Sequence, residues 1–141
     1  MKNKLFNSIA ALLLIAGAGC RSGRSSGNDE AKVVARILAR TAPPTLAFKD
    51  QAGAQQLVSS LDTSEYFDFG VILNAQKQVF ASYFRPDQIS EKEKFLARVT
   101  QSVPSDESET LTVDHGVAIA IVRIESKEQT VGYVAIGRKR P

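Results

Sequence analysis

The chain has 141 residues, enough for one domain around one core and too few for two. Hydrophobic residues make up 43% and charged residues 23%, a globular balance that argues against wholesale disorder. The formal charge of +3 includes Lys2 and Lys4 at the start; the charge of about +1 left without them lacks the dense basic surface that phosphate backbones need, so no nucleic acid partner is expected.

Lys2 and Lys4 precede an uncharged, largely apolar stretch from Leu5 to Gly19, the order of a secretory signal. The stretch is shorter than the roughly 20 apolar residues of a membrane-spanning helix. Gly17, Ala18 and Gly19 then lead into Cys20, the sole cysteine, which has no second thiol in the chain for a disulfide. This arrangement resembles the lipobox of bacterial lipoproteins, although Gly17 stands where that family usually has Leu. The resemblance implies cleavage after residue 19, lipidation of Cys20, acylation of its new amino group and a stable lipid anchor. Arg21 after the cysteine, rather than Asp, favours the outer over the inner membrane by the same resemblance. The alternative is an ordinary secretory cut nearby, which leaves a free thiol in an oxidising compartment. RSGRSSGN, residues 21 to 28, reads as a flexible tether with a reach of at most about 26 to 29 Å. The expected organisation is therefore a signal peptide over 1–19, a lipidated tether over 20–28 and a periplasmic domain over 29–141.

From Asp29, Val33, Val34, Ile37, Leu38 and Thr41 recur at helical spacing and predict a helix with that face buried, ended by Pro43 and Pro44. Lys32, Arg36 and Arg40 form a basic stripe on its other side. Asp50 is placed to cap a second helix, in which Ala54, Leu57, Val58 and Leu61 repeat at i, i+3, i+4 and i+7. YFDFGVILN then alternates, with Phe67, Phe69, Val71 and Leu73 on one face, and Ala75 to Gln78 turns it into a second strand, Val79 to Phe84. Pro86 ends the hairpin. Ser90 and Glu93 fit a capping box ahead of a helix of about ten residues. Val103 to Glu109 reads as an exposed loop. Three strands follow: Thr110 to Val113, Val117 to Ile124 and Val131 to Ile136. The continuous VAIAIVRI predicts an internal strand covered on both faces. The fold class expected is α+β, a five-stranded antiparallel sheet with N-terminal helices and one inserted helix.

The order of these elements, with the stretch Ala35 to Asp50 that contains ARTAPPTLAFKD, the hairpin over Val71 to Tyr83 and the closing pair over Val117 to Gly137, resembles the CHASE8 periplasmic sensor domain. That family is a relative of PAS and Cache folds, and the resemblance covers most of the mature chain. It implies a PAS/Cache-like sensor domain. Such domains usually sit between two membrane spans and report to a cytoplasmic output; neither a second span nor an output domain is read from this sequence. Signalling in trans, through an envelope protein partner, is the resulting expectation. The stretch from about Ile89 to Glu109 is longer than is usual for the family and bears on the shape of any pocket.

Catalytic patterns are missing from the sequence. His115 is the sole histidine and sits between Asp114 and Gly116, a place for a turn residue, and no GxSxG, HExxH, P-loop or CxxC pattern occurs. No enzyme, cofactor or metal is expected. A PAS-like pocket draws polar residues from its sheet, which makes Tyr66, Tyr83, Arg85 and Arg123 the candidate ligand-binding residues. An arginine beside tyrosines suits a small carboxylate through a bidentate pair. Ordinary surface and edge packing is the other reading of the same four. The function expected is that of a non-enzymatic, membrane-anchored lipoprotein with a sensor-like domain and a small-molecule ligand as an additional partner. The alternative is a structural envelope lipoprotein with no ligand.

Overall fold

In the computed structural model, which describes residues 27–139, helix α1 spans Gly27–Thr41. It carries Asp29 and Glu30 in its first turn and Arg40 in its last, charges of the sign that the helix dipole favours at each end. The leader, Cys20 and most of the tether lie outside the described residues. The buried face of α1 differs in part from the predicted one: Leu38 is buried as expected, but Ala31, Ala35 and Ala39 make up the rest of that face, whereas Val33 and Ile37 are 49% and 56% exposed. A row of alanines lets the helix backbone lie close on the sheet, and that close approach turns the branched side chains outward. Pro43 and Pro44 end α1 as expected, but no loop follows. They open a short helix α2 (Pro43–Ala47), since proline in a first helical turn has no N–H to waste. Helix α3 (Gln51–Ser59) is capped as expected, Asp50 accepting from the Gly53 N–H at 2.9 Å, and a 3-10 turn over Ser60–Thr63 delivers Leu61 to the core.

Five strands, β1 (Phe67–Asn74), β2 (Val79–Phe84), β3 (Glu109–Asp114), β4 (Val117–Ser126) and β5 (Gln129–Lys139), form one antiparallel sheet in the order β2-β1-β5-β4-β3. The strand containing VAIAIVRI is internal, as its apolar run predicts, but the middle place belongs to β5. The β4–β5 turn is also tighter than expected: Lys127 and Glu128 alone make it, both with positive φ, as do His115 and Gly116 between β3 and β4. Helices α1 to α3 cover one face with Ile72, Ala120, Val122, Ile124, Val134 and Ile136 beneath them. Phe69, Val71, Leu73, Ile119, Ile121 and Ala135 point to the other face. The predicted alternation of β1 fails at its first residue. Its pairing with β5 slips between Phe67 and Phe69, so Phe67 joins the core under the helices while Phe69 faces the opposite side.

β2 and β3 are opposite edges of the sheet, so the chain between them must cross it. It does so through a 3-10 turn over Pro86–Glu91 and helix α4 (Lys92–Ser102), which packs Phe95 and Val99 into the second core. The predicted capping box does not form. The 3-10 run opened by Pro86 carries Ser90 past any capping position, and Glu91 precedes the helix without a side-chain cap. Phe69 stacks on Phe84 at 5.4 Å and meets Phe95 at 5.0 Å between ring centroids.

The two edges are finished differently. Along β2, the Gln55 amide donates to the Ser82 carbonyl at 2.9 Å and accepts from the Ser82 N–H at 3.4 Å, while Gln51 donates to the Phe80 carbonyl at 3.3 Å. A side chain thus occupies the place a neighbouring strand would take. The outer side of β3 has no such cover among the described residues.

Candidate functional site

The slip at the start of β1 inserts Asp68 between two phenylalanines and buries it, at 1% exposure. Neither carboxylate oxygen receives a hydrogen bond. A buried carboxylate ordinarily needs several donors to offset its lost hydration. The nearest cation is Arg85, just beyond β2, whose Nη2 lies 3.2 Å from Asp68 Oδ1. Arg85 directs its hydrogen bonds elsewhere, however: Nε and Nη2 to Asp87 at 2.7 and 3.0 Å, and Nη1 to the Glu65 carbonyl at 2.7 Å. Burial therefore pushes the Asp68 carboxyl above the usual range, against the opposing pull of Arg85. The hydrogen bonds from Arg85 hold Asp87 below it.

Asp68 lines a cleft of about 260 Å³ at the end of the sheet where β1 and β4 begin and β5 finishes, with Phe95 and Lys94 of α4 on one side and the β3–β4 turn on another. Asp114, the last residue of β3 before that turn, is held down to about 2, first by the two hydrogen bonds from Arg98, each 3.0 Å, and also by the adjacent His115 ring at 2.6 Å. His115 is a turn residue with φ 47, and its ring is exposed. No group of three His, Cys, Asp or Glu side chains among the described residues is arranged to hold a metal ion.

The four residues singled out in the sequence do not form one site. Tyr83 and Arg85 lie at the same end of the sheet, but the Tyr83 hydroxyl donates to Asp62 at 2.9 Å, and burial followed by that contact raises it above its ordinary value. Tyr66 is 63% exposed, with the Arg138 guanidinium 5.2 Å from its ring centre, and Arg138 in turn pairs with Glu30 of α1. Arg123 stands apart on β4, paired with Glu125 at 2.8 Å in a cleft of about 470 Å³ that Arg36 and Arg40 also border. The basic stripe of α1 is not simply solvated: Arg36 makes a two-pronged pair with Glu109 at 2.7 and 2.6 Å and ties the helix to β3. A third cleft, about 380 Å³, opens beside α2 and is lined by Leu46, Phe80 and Val131.

Sequence reasoning passed over Asp68. Its signal was an acid between Phe67 and Phe69 in a run where every neighbour is apolar or glycine. Alternation alone placed it on a face of its own, because the slip that buries it leaves no trace in residue spacing.

A family model described as CHASE8, a periplasmic sensor domain, matches residues 24–137. Among solved structures, a Roadblock/LC7 domain from Streptomyces avermitilis is similar at 14% identity, over 61% of this chain and 78% of that one, with a TM-score of 0.39. No curated protein sequence matches the chain.

Proposed function

Because the chain belongs to the CHASE8 family of periplasmic sensor domains, we propose that it is a non-enzymatic lipoprotein that hangs this domain from the membrane by Cys20 and acts in trans on an envelope signalling partner. The observation that carries the reading is the position of the family match, which starts at residue 24, directly behind the lipobox-like GAGC ending at Cys20. Acyl chains occupy one leaflet and do not cross the bilayer. A domain anchored in that way passes on its state by touching a protein that does cross, or one that reaches such a protein. Confinement near the membrane raises the effective concentration of both, so a modest interface is sufficient. Arg21 favours the outer membrane as the site of attachment. Tyr66, Tyr83, Arg85 and Arg123 remain proposed ligand contacts, with Arg85 and Arg123 suited to a carboxylate only where a ligand competes with Asp87 and Glu125.

The test is replacement of Cys20 by Ser in cells, followed by fractionation and by crosslinking from intact envelopes. The variant should leave the membrane fraction as an unprocessed precursor and lose its crosslinked partner. A Cys20→Ser protein that is still processed and membrane-bound overturns the lipoprotein reading; a wild-type protein that captures nothing above control overturns action in trans.

A further inference from the structure

The cleft at Asp68 has acceptors with nothing to accept from. Three acids line it, and two are bonded: Lys94 pairs with Glu91 at 3.3 Å, and Arg98 binds Asp114 through both oxygens, whereas Asp68 has the Arg85 Nη2 at 3.2 Å from its Oδ1 as an ion pair without a hydrogen bond. Asp68 alone keeps both oxygens without a hydrogen-bond donor, and it is the most deeply buried acid of the chain's described part. On the cationic side, assigning Lys94 to Glu91 leaves Lys139 of β5 as the lysine of the lining whose charge acts on Asp68 without bonding to it. Phe95 adds an apolar wall.

We propose that this cleft binds a small zwitterion, its primary ammonium group donating to Asp68 and its carboxylate facing Lys139. A primary ammonium brings up to three N–H donors to the two oxygens, which receive no hydrogen bond from the described residues. A simple cation is a poorer fit, since Lys94 and Lys139 repel it; a simple anion meets Asp68, Glu91 and Asp114. A molecule that carries both charges satisfies both walls. The volume of about 260 Å³ sets the scale at a small ligand such as a short aminocarboxylate. Both oxygens are closed to bulk water, so entry requires a side chain of the cleft to yield. Burial also raises the Asp68 carboxyl, so the site weakens in acid as that group takes a proton. The inference supplies a ligand to the sensor reading above, on which it rests, yet it is tested in solution without membrane or partner.

The experiment is calorimetric titration of the full chain, purified in detergent, with glycine, β-alanine and γ-aminobutyrate, each beside ethylammonium and propionate as half-ligands. At least one zwitterion should bind, with each half-ligand weaker by about tenfold or more. Asp68→Asn should lower that affinity by about 10- to 100-fold, the usual weight of a hydrogen bond to a charged group. Lys139→Met should lower it too, while leaving ethylammonium binding no weaker than before. Failure of all three zwitterions to bind shows a cleft filled by water only and overturns the proposal, as does an unchanged affinity in Asp68→Asn. Should circular dichroism show that Asp68→Asn does not fold, unchanged affinity in Lys139→Met overturns it alone. Partner capture that persists while no zwitterion binds separates failure of the ligand from failure of the sensor reading.

Discussion

Replacing Gly137 by Ala should destabilise the domain although alanine is ordinarily the better strand residue. Gly137 pairs with Phe69 across β1 and β5, and a Cβ built on it falls 2.1 Å from Phe69 Cε1 and 2.5 Å from Cδ1. The ring must retreat by more than 1 Å to regain ordinary contact at about 3.4 Å. It has nowhere to go, since Phe69 is fully buried and wedged between Phe84 and Phe95. Overpacking of this kind costs about 1–3 kcal/mol. The lower backbone entropy of alanine offsets about 0.5–1 kcal/mol. The expected net loss is about 1–2 kcal/mol, or about 5–10 °C in melting temperature for a domain of this size. Urea denaturation of Gly137→Ala, of Phe69→Leu and of the double variant measures it. The double variant should be more stable than the sum of the two single losses implies, because a smaller residue at 69 leaves room for the methyl group. Additive losses, or a Gly137→Ala protein as stable as wild type, would refute the packing argument.

Two further predictions concern charge. Asp114 is depressed to about 2 from an ordinary 3.8, so its contribution to stability is complete above about pH 4 and is lost as the pH falls through 2, whereas Asp68 is raised, so its cost appears as the pH climbs above 3.8 through its folded value. In chemical denaturation, Asp114→Asn should therefore be weaker than wild type at pH 7 with the gap closing towards pH 2, and Asp68→Asn stronger at pH 7 with its advantage shrinking below pH 4; gaps that do not change with pH contradict the assignments. Arg36→Glu sets two carboxylates together between α1 and β3 and should lower the melting temperature, and adding Glu109→Arg should recover most of the loss, whereas an equally unstable double variant would mean that the pair's orientation, not its charge, holds the helix.

The elements that the sequence made legible are those governed by local signals. Asp50 as a cap, the Asp114-His115-Gly116 turn and the apolar run of β4 each act within a few residues, and each lies where expected. What misled was the assumption that the largest apolar side chains mark the buried face. On α1 the alanines are inside, because the distance between helix and sheet is a tertiary quantity that no periodicity encodes. The candidate site was hidden for the same reason. Asp68 is brought to its cleft by a slip between β1 and β5, strands far apart in the chain, and Arg98 reaches Asp114 only after α4 has crossed the sheet.

The unequal edges of the sheet have a consequence for how copies of the domain meet. A sheet with two free edges polymerises without limit, each added copy presenting a fresh edge to the next. Here the amides of Gln51 and Gln55 blunt β2, and the uncovered backbone among the described residues is on β3. Edge-to-edge addition through β3 consumes the free edge of both participants at once. The largest assembly that backbone pairing through the described residues alone can build is then a closed pair, and crowding does not extend it into a fibre.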